Sequence, residues 1–120
     1  LAHTHTVAGG RTWLMEFGPC PSVGPRAPHG METPLLLGSH LDPAVARIAG
    51  YPPGRQHARE RLSTALRERL GSFVRAGDPG WERTDTTGGG PALVVADDEI
   101  TIRRERYAET LRVWEGIGRP

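Results

Sequence analysis

Apolar residues recur at helical spacing over one long stretch of the chain, residues 55–76. They fall on one side of a helical projection and comprise Ala58, Leu62, Ala65, Leu66, Leu70, Phe73 and Val74. The opposite side carries arginine, and Gly77 supplies a residue that readily ends helices. The pattern predicts an amphipathic helix that buries a single face. A second one-sided helix is predicted over residues 104–115.

Two shorter helices are predicted from the residues at their ends. Asp42 followed by Pro43 is typical of an N-cap and a first helical position, and predicts a helix that runs to Gly50. Residues 32–37 stand before Gly38 and predict a short helix closed by that glycine. Both predictions depend on end signals, because such short segments carry little hydrophobic periodicity.

Extended segments are predicted at two places. Residues 11–17 are rich in strand formers and lie between glycine and proline breakers, which predicts one buried strand. Residues 92–95 and 100–102 flank a turn at positions 97–98 and predict a small hairpin. Because the hairpin is short and far along the chain, we expect the first strand to have no partner here. A strand alone leaves backbone donors and acceptors unsatisfied, so the chain is expected to be incomplete on its own.

Composition narrows the classes of protein that the chain can represent. With 120 residues, 37% hydrophobic and 24% charged, it is typical of one small globular domain. The longest apolar runs, 35–37 and 92–96, fall far short of the roughly 20 residues of a transmembrane helix, so no membrane span is predicted. The single cysteine, Cys20, excludes an internal disulfide and a multi-cysteine zinc site.

Arginine accounts for all fifteen basic residues, and six of these lie between residues 55 and 75. Such a cluster could approach phosphates or an acidic partner. The stretch has no interleaved aromatic residues to stack on bases, however, and the net charge of the chain is only +1. We therefore interpret the arginines as a solvated helix face and predict no nucleic-acid partner.

The run of residues 29–38, which begins His29-Gly30-Met31-Glu32, carries the strongest chemical signal. A general base needs an imidazole at a loop tip, with its second nitrogen oriented by a carboxylate. Prolines at positions 28 and 34 stiffen this loop, and Gly30 is expected to allow close backbone approach. The run therefore suits a histidine that takes part in proton transfer.

Together with later segments, this run resembles the histidine loop of the type-B carboxylesterases, of the para-nitrobenzyl-esterase-like bacterial kind. The resemblance continues through Leu62-Ser63 and the turn Gly77-Asp78-Pro79-Gly80-Trp81, and ends near Trp114-Glu115. It covers nearly the whole chain in family order. The chain departs from the family, which usually has an aliphatic and then aromatic residues, at Thr33, Leu35 and Leu37. These differences alter the shape of a substrate pocket more than the chemistry of the imidazole.

The resemblance implies an α/β-hydrolase fold, with residues 1–120 as a single segment from the C-terminal portion of a carboxylesterase type-B domain. That segment would hold one sheet strand, the histidine loop, helices and the small hairpin. The triad order in this fold is serine, acid, histidine, so the nucleophile and acid are expected upstream. No Gly-x-Ser-x-Gly occurs, since the paired glycines are missing around Ser22, Ser39, Ser63 and Ser72. The chain is therefore expected to be inactive alone.

The resemblance also implies roles for residues. His29 would be the catalytic general base, with Gly30 and Glu32 in support. Glu32 is interpreted as a buried structural carboxylate beneath the loop; the alternative is the triad acid itself. The substrate would be a small-molecule ester, bound together with the upstream part. No metal or organic cofactor is implied, and oligomeric state and localisation, cytoplasmic or secreted, stay open.

A second hypothesis comes from a different functional class: a truncated, non-catalytic remnant that acts as a small interaction module or has no function. An upstream reading frame that encodes Gly-x-Ser-x-Gly in phase would favour the esterase.

Two weaker motifs do not change this interpretation. His3 and His5 could form a metal pair on a strand but lack a third ligand, so a surface segment is the preferred interpretation. The triple glycine at 88–90 lacks the Lys-Ser/Thr of a phosphate loop.

Overall fold

The computed structural model describes residues 2–18, 27, 29–85 and 90–104. Within these ranges the chain forms helices α1 (Ala2–Val7), α2 (Glu32–Leu37), α3 (Pro43–Ile48) and α4 (Gln56–Ala76), and strands β1 (Leu14–Phe17), β2 (Ala92–Ala96) and β3 (Glu99–Arg103). Most of the helix predicted at 104–115, and Cys20 and Ser22, lie outside the described residues.

The described chain divides into two compact units. The first takes its residues from 1–16, 81–93 and 102–120, and the second from 17–80 and 94–101. Helix α1 belongs to the first unit. Helices α2, α3 and α4 belong to the second unit, as does the turn that carries His29.

The three strands form one sheet in the order β1-β2-β3. The prediction of one sheet strand without a partner in the chain was therefore wrong, because β1 lies beside β2. Four of the five β2 residues are buried, as expected of a central strand with a neighbour on each side. Beyond β1, the Gly18 N–H donates to the Val95 carbonyl at 2.8 Å. Distance along the chain was a poor guide here, because strand pairing joins segments that are remote in sequence.

The predicted hairpin is confirmed. Asp97 and Asp98 join β2 to β3 with φ values of 53° and 62°, the left-handed pair of a two-residue hairpin turn. Arg55 ties this turn to the start of α4: its Nε lies 3.0 Å from Asp98 Oδ2, and its Nη2 donates to the Asp97 carbonyl at 2.9 Å. Arg55 thus pairs with one carboxylate and one backbone carbonyl of a turn whose backbone is left-handed at both residues.

Helix α4 follows its prediction closely and forms the core of the second unit with α2. It ends at Gly77, which adopts a φ of 66° and donates to the Phe73 carbonyl at 2.7 Å. Leu62 and Leu66 of α4 are buried, as is Leu35 of α2. Burial of each such leucine contributes about 1.5–3 kcal/mol of hydrophobic stabilisation. This packing fixes α2, and with it the end of the histidine turn, against the long helix.

The two short helices are also confirmed. Gly38 closes α2 with a φ of 79°. The Asp42 carboxylate caps α3, accepting from the Ala44 N–H at 2.8 Å and the Val45 N–H at 3.1 Å. The Asp42 carboxylate thus satisfies two N–H groups of the first turn that have no acceptor within the helix.

Helix α1 was not expected from the sequence, which had suggested only a surface segment there. Gly9 ends the helix with a φ of 87°. A Cβ on Gly10 would lie 2.1 Å from the His5 ring as it stands, so a larger residue there would require the exposed His5 side chain to move. Elsewhere in the first unit, the Trp13 indole donates to the Trp81 carbonyl at 2.9 Å. Among the described helices, none has the length and apolar character needed to cross a bilayer.

Candidate functional site

His29 is exposed and begins the turn that leads into α2. The Thr33 N–H donates to the Gly30 carbonyl at 3.1 Å and closes this turn. The imidazole is therefore accessible to a reacting group. Helix α2 begins three residues later in the chain. That placement suits a proton-transfer group, because a general base must come within hydrogen-bond reach of the proton that it takes.

Gly30 adopts a φ of 77°, and among the described residues no atom lies within 4 Å of the position that a Cβ would occupy. The glycine is thus required by the left-handed backbone, which side chains with a Cβ rarely adopt. This differs from the expectation that Gly30 allows close approach of the backbone. The turn needs glycine for its shape and leaves open space beside it.

Glu32 is the first residue of α2 and is half-buried, where the resemblance had suggested a buried carboxylate. A carboxylate in the first helical turn interacts favourably with the positive end of the helix dipole. Its charge also acts on Tyr51, whose pKa it helps to raise. This position supports a structural role beside the histidine turn.

Tyr51 holds the same turn and was missed by the sequence analysis. Its hydroxyl donates to the Met31 carbonyl, two residues after His29. Burial raises the pKa of Tyr51 to about 12, against the opposing effect of the nearby Arg59 cation. The hydroxyl therefore stays protonated and able to donate at neutral pH. The only sequence signal was a tyrosine placed between Gly50 and two prolines.

Arg59 lies behind Tyr51 and is only 3% exposed. Its guanidinium carbon sits 5.2 Å from the centre of the Tyr51 ring. Its Nη2 donates to the Pro52 carbonyl at 2.6 Å. The interpretation of the helix arginines as a solvated face was therefore wrong for Arg59, although it fits its exposed neighbours Arg55 and Arg61. Arg59 faces inward because it lies one helical turn before Leu62 and Ser63, and so on the same side of α4 as these buried residues.

His40 is the buried histidine of the described chain, at 4% exposure. Neither ring nitrogen makes a hydrogen bond of normal geometry to the described residues. Burial lowers the pKa of His40; the Pro34 backbone raises it and partly offsets this, and the Arg67 cation lowers it further. A neutral, enclosed imidazole of this kind is a core residue, in contrast to the exposed His29.

The remaining candidates are the possible metal pair on α1 and two of the serines. His3 and His5 are both exposed on α1, where residues two apart point in different directions, so the strand-like metal pair does not form. Within the described ranges, no cluster of three or more potential metal ligands occurs. The Ser63 hydroxyl is buried and donates to the Leu35 carbonyl at 2.6 Å. The Ser72 hydroxyl donates to the Asp78 carbonyl, also at 2.6 Å.

Solved structures of carboxylesterases share this fold. Carboxylesterase EST55 of Geobacillus stearothermophilus at pH 6.2 matches with a TM-score of 0.71 and 20% sequence identity, over 95% of this chain and 24% of that one. The same enzyme at pH 6.8 matches with a TM-score of 0.72 and 18% identity over 95% and 24%. A structure of PNB esterase matches with a TM-score of 0.71 and 22% identity over 92% and 23%. No protein-family model and no curated protein sequence matches the chain.

These likenesses establish the fold. The chain has the fold of a carboxylesterase segment and spans about a quarter of the length of those structures, 23–24%. The fold therefore agrees with the para-nitrobenzyl-esterase resemblance found in the sequence, and the small sheet with helices is consistent with part of an α/β fold.

Proposed function

We propose that this chain supplies the general-base segment of a type-B serine carboxylesterase that hydrolyses small carboxylic esters. The observation that carries the proposal is the exposed His29, set on a turn before α2 in a chain with the fold of a carboxylesterase segment. Glu32 and Gly30 support it through the charge and the backbone shape of the turn. The nucleophilic serine and the triad acid would come from sequence outside these 120 residues.

In this scheme His29 moves protons between oxygens. It accepts the proton of the serine hydroxyl as the serine oxygen bonds to the ester carbonyl carbon, and donates it to the departing alcohol as the C–O bond breaks. It then accepts a proton from water, whose oxygen attacks the acyl-enzyme, and returns that proton to the serine as the acid leaves. Backbone N–H groups outside this chain would stabilise the oxyanion. No step draws on a metal or an organic cofactor.

The test is His29→Gln in the esterase formed when this segment is joined to one that bears the serine. Loss of one triad member typically lowers turnover by about 10⁴ or more, because only the oxyanion hole and binding remain. Initial rates on a short-chain nitrophenyl ester measure the loss. The fold should survive, since the side chain is exposed. Circular dichroism of the variant would report any change.

His57→Gln is the matched control, because His57 is also exposed and belongs to the same unit. It should change the rate less than about twofold, as expected of a surface site away from the chemistry. A His29→Gln enzyme that keeps most of its activity, or an equal loss in the control, would contradict the assignment of His29 as the base.

A further inference from the structure

We propose that Tyr51 is a positioning residue for His29. Its hydroxyl bonds to the Met31 carbonyl and thereby fixes the turn from which the imidazole projects. The proposal rests on the proposed role of His29 as general base, and concerns how the chain holds that base in a productive direction. Tyr51 acts through the backbone and does not itself touch the substrate.

The turn has few other restraints among the described residues. His29 is exposed, and Gly30 lacks a Cβ that would limit its backbone rotation. The Thr33–Gly30 hydrogen bond closes the turn but ties it only to α2. Met31 is different, since it is 8% exposed and its carbonyl accepts from a side chain twenty residues away. The Met31 carbonyl therefore attaches the turn itself to the rest of the second unit, in addition to the packing of α2 against α4 that follows it.

Tyr51 is suited to this task because it is itself restrained both at its backbone and at its ring. Its N–H donates to the Ala46 carbonyl at 2.8 Å, at the end of α3. The Arg59 guanidinium lies over its ring at 5.2 Å. Arg59 is in turn fixed by burial and by its bond to the Pro52 carbonyl. The hydroxyl thus transmits the positions of α3 and α4 to the turn, in the way that supporting residues hold a reacting group.

The protonation of Tyr51 makes this restraint independent of pH over the range in which a histidine titrates. Because burial raises the pKa of Tyr51 to about 12, the hydroxyl remains a donor throughout that range. The Met31 carbonyl, which accepts this bond, does not ionise. The direction of the imidazole is therefore kept constant through both halves of a proton-transfer cycle.

Ser63 provides a matched control for the test. Its hydroxyl donates to the Leu35 carbonyl at 2.6 Å, so a side-chain hydroxyl of α4 likewise anchors the backbone of α2. Its bond lies near the far end of α2, beyond the turn. Ser63→Ala and Tyr51→Phe therefore remove the same type of bond from two ends of one short segment. A merely stabilising role would make the two variants alike.

The experiment compares these two variants in the 120-residue chain by amide relaxation of residues 29–31 and by thermal unfolding. Loss of one hydroxyl bond should lower the unfolding temperature of each by roughly 3–6 °C. Tyr51→Phe should also lower the order parameters of the turn from about 0.85 to below about 0.6. Ser63→Ala should leave them at the native value. A rigid turn in Tyr51→Phe, or equal loosening in both variants, would overturn the proposal.

Arg59→Lys gives a second route to the same result if Tyr51→Phe unfolds. Lysine keeps the charge but lacks the planar group that lies on the ring and reaches the Pro52 carbonyl, so the turn should loosen to an intermediate degree. A turn of native rigidity in Arg59→Lys would contradict the proposal.

The same variants distinguish this proposal from the proposed function. In an active esterase, Tyr51→Phe should lower kcat about tenfold or more with KM unchanged, as misplacement of a reacting group does. If His29→Gln keeps its activity, the role of His29 fails, while the relaxation measurement still decides whether Tyr51 holds the turn. If His29→Gln is inactive and Tyr51→Phe fully active, the positioning role alone is wrong.

Discussion

At the scale of single residues, two histidines of the second unit have opposite surroundings. His29 is exposed on its turn, whereas His40 is enclosed. Among the charged groups that act on His40, Arg67 and Arg59 lower its pKa further, and Glu60 raises it. Enclosure disfavours the imidazolium, since the charged form loses more through lost hydration than the Pro34 backbone and Glu60 return to it. The His29 imidazole is thus open to solvent, whereas the His40 imidazole is held in its neutral form at neutral pH.

The neutral His40 predicts a stability that depends on pH. Its folded pKa lies below the ordinary value of 6.5. Above that value the imidazole is neutral in both states and contributes nothing to the pH dependence. As pH falls below 6.5, only the unfolded chain takes up the proton, so the free energy of unfolding decreases until pH reaches the folded pKa.

Replacement of His40 by phenylalanine should remove this component of the pH dependence. Unfolding temperatures at pH 7 and pH 5 would show a smaller fall in His40→Phe than in the native chain. His57→Phe controls for a change at an exposed histidine and should keep the native fall. If the native chain and His40→Phe lose stability equally over this range, His40 is not the group responsible.

At the scale of elements, α3 is the least supported helix of the second unit, because none of its six residues is buried. Helices of this length are not stable by themselves. Its order therefore depends on the Asp42 cap at one end and on the Tyr51 N–H, which donates to the Ala46 carbonyl, at the other. The cap is thus connected, through α3, to the tyrosine that holds the histidine turn.

Asp42→Ala should lower the free energy of unfolding by about 1 kcal/mol, the usual cost of removing an N-cap acceptor. Asp42→Asn keeps a side-chain oxygen and should cost only a few tenths of a kcal/mol. Urea unfolding at pH 7 measures both changes. Hydrogen exchange at Ala44 and Val45 should accelerate in the alanine variant only. Equal destabilisation by alanine and asparagine would show that the cap contributes little.

At the scale of the whole molecule, several large apolar side chains remain at the surface. Ile48 is 82% exposed, and Leu37 and Val74 are each 76% exposed. Along α4 the predicted apolar stripe is buried at Leu62 and Leu66 but not at Val74. Exposed apolar surface of this kind promotes association. These side chains are therefore a reason to expect that the chain associates.

We predict that the chain self-associates with increasing concentration, and that polar substitution of three exposed positions reduces this. Leu37, Ile48 and Val74 would each be changed to glutamine, and sedimentation would give the mass at several concentrations. Since the three are exposed, the unfolding temperature should change little. A variant with glutamine at Thr4, Thr33 and Thr64, also exposed, is the control. A native chain that stays monomeric throughout would contradict the prediction.

The sequence by itself determined the elements whose signals are local. The apolar period and Gly77 located α4, and Asp42-Pro43 located α3. Such signals are readable because a helix is stabilised by contacts a few residues apart and by its own end groups. The resemblance around His29 led to the esterase fold that the solved structures share, and the role of His29 stays a prediction.

Only the tertiary structure decided the pairing of β1 with β2, the burial of Arg59 and His40, and the hold of Tyr51 on Met31. Each depends on which surfaces meet after the chain folds, and the partners lie far apart in sequence. Helical spacing places Arg59 on the same side of α4 as Leu62 and Ser63, but its burial depends on the Tyr51 ring and the Pro52 carbonyl, which meet it only after folding. The residues that hold the candidate base are therefore visible only in three dimensions.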